Sequence, residues 1–157
     1  MILHRLIRDD IRGGNFLNKR IKNSPTDYKN AECYYLGDPI QFCIAFYDHL
    51  PMAHGYMAEL ALATGNGYRF NKSIFRQALA KFFENSYYDN NIRLQALISP
   101  DNEQALRLAH LGGFTLEGRL REVATDGDRL LFSMLKREFV EKYGRNPIKA
   151  KSTTSTT

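Results

Sequence analysis

The sequence has no long hydrophobic run and only two cysteines among its 157 residues. A membrane-spanning helix needs about 20 consecutive apolar residues, and charges interrupt every short apolar stretch near the N terminus. We therefore expect neither a membrane span nor a signal peptide. Cys33 and Cys43 are too few for a disulfide framework or a zinc site. These absences predict a soluble cytoplasmic protein in which both cysteines are buried and reduced.

The chain also lacks a strongly basic body, although its net charge is +5. The segment from Lys136 to Lys151 carries six basic residues against Glu138 and Glu141, which leaves the rest of the chain nearly neutral. A nucleic-acid-binding face needs positive charge spread over the domain surface, so we do not expect nucleic acid as the main partner. A weaker alternative is nucleic acid held by this basic segment. The last residues, 146–157, are predicted to form a polar flexible tail.

Hydrophobic periodicity predicts one α/β domain over residues 1–145. Turn signals at Gly37-Asp38-Pro39 and Asp126-Gly127 predict two β-hairpins, the first of which sets Cys33 roughly opposite Cys43. Pro51 is interpreted as the start of the segment that leads into the fourth strand. Strands are predicted at 4–7, 33–36, 40–47, 56–64, 92–98, 115–124 and 129–135, and helices at 11–21, 71–86 and 101–112.

Polar residues that can cap a helix precede each predicted helix. They are Asp9 and Asp10 before the first, Asn71 or Ser73 at the second, and Asp101 at the third. Gln104 lies three residues after Asp101, as in a capping box. The glycines at 112–113 mark the end of the third helix. The order of elements predicts a mixed sheet with helices packed on its faces.

The C-terminal third carries a family motif. The segment from Asn102 to Phe114, NEQALRLAHLGGF, resembles the pattern N-x-x-A-x-x-L-(Y)-x-x-x-G-F of the GNAT superfamily of acyl-CoA-dependent N-acetyltransferases. Residues 115–139 are similar to the RimJ/RimL-type branch, in which F-x-x-E-G-x-x-R and an Asp-Gly hairpin lead into the last strand. The resemblance covers about 38 residues.

This resemblance implies a fold, an activity and a cofactor. The fold is α/β, with a mixed, mostly antiparallel sheet that is splayed at its centre and has helices on both faces. The activity is the transfer of an acetyl group from acetyl-CoA to a primary amine of a protein or a small molecule. A homodimer is compatible with it, and no metal site is expected, since Asp48, His49 and His54 lack a further ligand nearby.

The pyrophosphate loop departs from the family pattern V-x-P-x-x-R-G-x-G-x-G. When Thr64 is aligned with the Val of this pattern, none of the pattern's three glycines is present in the chain. Side-chain charges and a hydroxyl can partly replace the lost approach to backbone N–H groups, whereas Phe70 and Ile74 cannot and could obstruct. An ordinary capped helix start is the alternative, and an alignment on Gly65 and Gly67 leaves the loop too far from the helix. The cofactor-binding residues that the resemblance implies here are Arg69, Phe70, Asn71, Lys72 and Ser73.

Glu59 lies five residues before Thr64, where family members with a carboxylate base commonly carry it. An amine with a pKa of about 10.4 is mostly protonated at neutral pH, so a base must remove a proton before attack. The resemblance implies that Glu59 is this base; the alternative is a strand glutamate that faces solvent or pairs with an arginine. It also implies cofactor contacts by the main chain of Ala61, Leu62 and Ala63, and by Asn102 from the opposite side.

The expected general acid is missing. Ala109 stands where the family often has a tyrosine, with His110 beside it, so water would protonate the thiolate. The missing glycines and tyrosine leave a second hypothesis open, a catalytically inactive GNAT-shaped scaffold or binding protein, of a kind that also occurs in bacteriophages. The acceptor is left unnamed, because the loops that choose it, 12–30 and 121–129, fit no single substrate class.

Overall fold

The computed structural model describes residues 5–21, 26–69, 71–84 and 92–144. Its strands are β1 (Ile7–Arg8), β2 (Glu32–Leu36), β3 (Phe42–Met52), β4 (Gly55–Thr64), β5 (Ile92–Ile98), β6 (Thr115–Ala124) and β7 (Gly127–Leu135). Its α-helices are α1 (Asp10–Arg20), α2 (Lys72–Glu84), α3 (Glu103–Gly112) and α4 (Lys136–Tyr143), and a 3-10 turn spans Tyr28–Asn30. Residues 145–157, which contain the predicted tail, lie outside the described residues.

The seven strands form one sheet in the order β1-β2-β3-β4-β5-β7-β6. Every neighbouring pair is antiparallel except β4 and β5, which are parallel. This parallel pairing covers only residues 56–59 of β4 and 92–95 of β5. Beyond it, β4 pairs with β3 alone and β5 with β7 alone. The predicted mixed, mostly antiparallel sheet with a splayed centre is therefore confirmed.

Helices cover both faces of the sheet, as predicted. The larger core lies between the sheet and α2, α3 and α4, where Phe46 stacks on Phe82 and Phe83 on Phe139. The smaller core lies under α1 and contains Leu17 and both cysteines. A Cβ on Gly13 would lie 2.5 Å from the Cβ of Cys33, so this glycine lets α1 lie close to the sheet.

Most predicted helix ends are confirmed. Asp9 caps α1 by accepting from the N–H groups of Ile11 and Arg12, and Asn71 caps α2. The cap of α3 is Asn102 and not Asp101, because the Asn102 side chain accepts from the Ala105 N–H. Gly113 ends α3 in the left-handed region, with φ of 94°.

The first hairpin and the strand after it differ from prediction. The register pairs Cys33 with Ala45 and Tyr35 with Cys43, so the two cysteines are diagonal neighbours. Both are free and buried, as expected. Strand β3 continues through Pro51, which pairs with Tyr56 beyond a register shift between Tyr47 and Leu50. The described part of β2 pairs with β3 only as far as Phe46, so Pro51 lies in an edge segment, where a residue without an N–H is tolerated.

The two ends of the described chain also differ from prediction. Strand β1 is only Ile7–Arg8, because Asp9 already caps α1. Helix α4 was not predicted; Glu138 begins it by accepting from the Leu135 N–H, and Phe139 is buried in the larger core. No helix in the described ranges is long and apolar enough to cross a membrane.

Candidate functional site

The splay between β4 and β5 opens a slot in the middle of the sheet. Residues 60–64 of β4 pair with β3 on one side and, within the described chain, with no strand on the other. Alternate residues of a strand direct their N–H and C=O groups to opposite sides. The slot is therefore edged by unpaired main-chain groups of the stretch that contains Ala61, Leu62 and Ala63. An extended ligand can pair with such an edge as an added strand.

Glu59 lies at the point where the slot begins. It is the last residue of β4 in register with β5, opposite Gln95. Its carboxylate Oε1 accepts a hydrogen bond of 2.8 Å from Gln95 Nε2. The side chain is half-buried, and it forms no ion pair with a described arginine or lysine. The arginine-paired alternative is therefore wrong for the described part of the chain.

A row of hydrogen bonds fixes Gln95 from the other side. Gln95 Oε1 accepts from Arg93 Nε at 3.2 Å, and the Arg93 guanidinium pairs with Glu117. The hydrogen bond from Arg93, followed by one from Ser133, holds the pKa of the Glu117 carboxyl below its ordinary value. Because the Gln95 oxygen is engaged, its amino group must face Glu59. The row therefore presents Glu59 with a donor in a fixed orientation.

Tyr47 borders Glu59 on the opposite side, since the two residues pair across β3 and β4. Its ring meets the ring of Tyr28 edge-on, with centroids 5.4 Å apart. Burial, the nearby Tyr28 and the negative charge of Glu59 all raise the pKa of the Tyr47 phenol. Tyr47 therefore stays protonated at neutral pH and places an uncharged side chain beside Glu59.

The start of α2 holds the residues predicted to bind phosphate. Arg69, Lys72 and Ser73 are exposed, and Phe70 lies outside the described residues. Asn71 Oδ1 accepts from the N–H groups of Ser73, at 2.8 Å, and Ile74, at 3.4 Å. Two of the backbone donors that would face an anion are thus already engaged by the chain's own side chain.

Two expectations about this loop can be corrected. The side chain of Ile74 is 3% exposed and packs in the larger core, so it does not obstruct the helix start. A Cβ on Gly65 would lie 2.8 Å from the carbonyl oxygen of Ile40, so Gly65 serves close packing against the β2–β3 turn. Arg20 in turn donates to the Asn66 side chain at 3.1 Å, which ties α1 to the loop.

Many solved structures resemble this chain, and three of them illustrate the likeness. A chimera of the spermidine N-acetyltransferase SpeG from Vibrio cholerae and hSSAT is 13% identical with a TM-score of 0.68, over 87% of this chain and 98% of that one. The ribosomal-protein-S5-alanine acetyltransferase from Vibrio fischeri is 16% identical with a TM-score of 0.61, over 87% and 95%. A GNAT-family acetyltransferase from Bacillus anthracis is 18% identical with a TM-score of 0.57, over 78% and 72%. The chain has the GNAT fold.

At these identities the likeness establishes the GNAT fold and not the activity. No protein-family model matches the chain, and no curated protein matches its sequence. The resemblance found in the C-terminal motif is therefore confirmed as a fold.

In this GNAT fold, α2 follows β4 and α3 follows β5, so the starts of the two helices flank the slot. Asn102 is at the α3 start, exposed, with its Oδ1 engaged in capping. Ala109 is buried in the larger core, and His110 is exposed on α3. Among the described residues no group of three or more histidine, cysteine, aspartate or glutamate side chains could hold a metal ion.

Sequence reasoning missed Gln95, Arg93 and Tyr47. A signal for the first two was present: Arg93 and Gln95 alternate with buried Leu94 and Ala96 in a central strand, where polar residues need partners. The partners themselves depend on the register of four strands. Glu117 occupies the bulge between Leu116 and Gly118, which no spacing rule would have placed near Arg93.

Proposed function

We propose that this protein is an acetyl-CoA-dependent N-acetyltransferase that acts on a primary amine. The observation that carries the proposal is the position of Glu59 at the closed end of the β4–β5 slot, beside the open main-chain edge of β4. A carboxylate at this point can meet both an extended ligand in the slot and an amine that approaches from the α1 face of the sheet.

The residues of the slot fit the extended part of the cofactor. Acetyl-CoA supplies an activated acetyl thioester. The main chain of Ala61, Leu62 and Ala63 pairs with the pantetheine arm, and an N–H of this edge polarises the thioester carbonyl. Asn102 approaches from the α3 side of the slot through its amino group.

At the start of α2, side chains supply the groups that bind the pyrophosphate. Arg69, Lys72 and the Ser73 hydroxyl supply charge and donors, and Phe70 and Asn71 complete the loop. The Asn71 side chain competes with the anion for the Ser73 and Ile74 N–H groups. This competition predicts weaker coenzyme A binding than a glycine-rich loop would give.

Glu59 acts as the base in this mechanism. It takes a proton from the acceptor ammonium, directly or through a water molecule, and frees the nitrogen lone pair for attack on the carbonyl carbon. As the new C–N bond forms, the C–S bond breaks and the sulfur keeps the electron pair. The newly acylated nitrogen releases its second proton to water, and, with Ala109 at the position of the acid, water passes a proton to the thiolate. In this proposal residues 1–145 form the catalytic domain, which works in the cytoplasm.

Titration calorimetry with acetyl-CoA, and separately with coenzyme A, tests the cofactor. We expect micromolar binding to the full chain, followed by acetyl transfer to a primary amine in a thiol-release assay. A folded protein that gives no heat at high ligand concentration contradicts the proposal.

A second candidate is a GNAT-shaped binding protein without turnover. The self-capped α2 start and the buried Ala109 favour it. This candidate predicts no acetyl transfer to any amine, whether or not coenzyme A binds.

A further inference from the structure

Within the described residues, no helix packs on the Glu59 face of the half of the sheet that consists of β5, β7 and β6. Helix α1, the helix on this face, packs against β2, β3 and β4. The residues of β5 and β7 that face the other way, such as Leu94 and Met134, are buried under α2, α3 and α4. Glu59 therefore lies at the boundary between the half of the sheet that α1 covers and the half that no described helix covers on this face.

Three leucines form an apolar row on the open half, which we term the leucine strip: Leu97, Leu131 and Leu120. Leu97 pairs with Leu131 across β5 and β7, and Leu120 lies on the same face of β6. Leu97 is 38% exposed and Leu120 is 37% exposed. A Cβ on Gly118, the partner of Leu131, would meet no atom of the described chain within 4 Å, so there is free space beside Leu131.

Most charges around the leucine strip are paired within the described residues. Arg93 pairs with Glu117, and Arg129 pairs with Asp126 at 2.7 Å. Glu59 lies at one end of the strip, two residues along the face from Leu97 by way of its partner Gln95, and has no cationic partner in the described chain. The exposed Glu122 lies beyond Leu120 at the other end. The surface is thus apolar along its middle and anionic at the end nearest the slot.

We propose that the acceptor is a primary amine carried by an apolar body, with the body on the leucine strip and the ammonium group at Glu59. This inference rests on the proposed acetyl transfer. The complementarity is of charge at one end and of apolar surface along the rest. A second ammonium group over the apolar middle of the strip would lose water without meeting a carboxylate, so polyamines are poor acceptors.

An acceptor series with the full chain tests this assignment. We expect kcat/KM to rise about fourfold for each methylene from ethylamine to n-hexylamine, because each methylene that leaves water for an apolar surface contributes a factor of that order. Spermidine should react more slowly than n-hexylamine. A flat series, or spermidine as the best acceptor, would overturn the assignment.

A pair of variants separates the strip from the rest of the hairpin. Leu131→Gln should lower kcat/KM for n-hexylamine about tenfold and leave that for ethylamine nearly unchanged. Leu116→Gln is the matched control, since Leu116 is 54% exposed on β6 but faces the other side of the sheet. Equal effects of the two variants on n-hexylamine would contradict a role for the strip.

Methyl NMR without acetyl-CoA distinguishes this inference from the proposed function. Addition of n-hexylamine should shift the methyl signals of Leu97, Leu120 and Leu131 and leave those of Leu116 in place. If coenzyme A fails to bind while these shifts occur, the acetyl-transfer proposal fails and the amine site stands. Absence of the shifts, or shifts that depend on protein concentration alone because a second copy covers the strip, overturns the inference.

Discussion

At the scale of single residues, the candidate site is a carboxylate held by an amide and not by a cation. A cationic partner would stabilise the ionised form of Glu59 strongly but would also compete with the ammonium group of an acceptor. The amide of Gln95 donates one hydrogen bond of 2.8 Å and carries no net charge. The arrangement orients Glu59 and leaves its charge available to an incoming amine.

Replacing Glu59 with glutamine removes the base and keeps the shape of the side chain. We expect kcat to fall by about 100-fold or more, since general base catalysis contributes factors of this order. Coenzyme A affinity should be unchanged, because the cofactor meets the main chain of β4. Steady-state kinetics and calorimetry on the same preparations measure both quantities. An unchanged kcat would show that Glu59 is not the base.

The substitution Gln95→Leu removes the donor to Glu59 and preserves the approximate side-chain volume. Without this donor the Glu59 carboxylate loses the contact that fixes its orientation, and Arg93 Nε also loses its acceptor on residue 95. We expect kcat to fall by about tenfold, as for the loss of a hydrogen bond to a charged group. Steady-state kinetics measure this change, and an unchanged kcat would argue against this role of Gln95.

At the scale of helices and strands, the elements with strong local signals were predicted and those set by tertiary contacts were not. Strand β5 matches its predicted bounds, and the Asp126-Gly127 turn closes the last hairpin. Helix α4 was missed because its stability comes from Phe139, which packs in a core assembled from distant segments. The two cysteines were predicted to lie opposite each other, but Cys33 pairs with Ala45, two residues further along β3. The prediction failed because the turn between β2 and β3 is longer than a tight turn centred on Asp38.

The candidate site divides in the same way. The position of Glu59 on β4 follows from its distance to Thr64 and the family resemblance, and the structure places it at the slot. The row from Gln95 to Arg93 and Glu117 links β5 to β6 through a bulge, so local spacing does not predict it. The capping by Asn71 was one of two predicted options, and its competition with phosphate emerged only from the hydrogen bonds at the helix start.

The start of α2 gives a prediction at this scale. Asn71→Gly removes the side chain that accepts from the Ser73 and Ile74 N–H groups. We expect coenzyme A to bind several-fold more tightly, because two backbone donors become available to the pyrophosphate. Stability should fall by only a few tenths of a kcal/mol, since glycine is a tolerated N-cap.

Calorimetry and thermal unfolding of Asn71→Gly measure these two changes. Asn71→Ser is the matched control, because serine keeps a capping oxygen and should leave the affinity near that of the wild type. Weaker binding by the glycine variant would instead mean that the Asn71 side chain contacts the cofactor itself.

At the scale of the whole molecule, α4 is the last described helix and packs against the rest of the domain. Tyr143 donates from its hydroxyl to the Gly112 carbonyl at 2.6 Å, and Arg76 donates to the Tyr143 carbonyl at 2.9 Å. Phe139 is 3% exposed and stacks on Phe83. These contacts join α4 to α2 and α3, the two helices whose starts flank the slot. Helix α4 therefore stabilises the positions of the two helices that border the candidate site.

Two truncations test where the functional unit ends. A chain that stops after residue 145 retains α4 and should keep the melting temperature and the coenzyme A affinity of the full chain, although it loses the lysines at 149 and 151. A chain that stops after Leu135 loses Phe139 and Tyr143, and removal of one buried phenylalanine side chain alone costs about 3–5 kcal/mol. We expect this shorter chain to unfold at a much lower temperature, and Phe139→Ala in the full chain to reproduce most of that loss. If the longer truncated chain lost coenzyme A binding while staying folded, the basic segment beyond α4 would belong to the cofactor site, since its positive charge would then be what holds the phosphates.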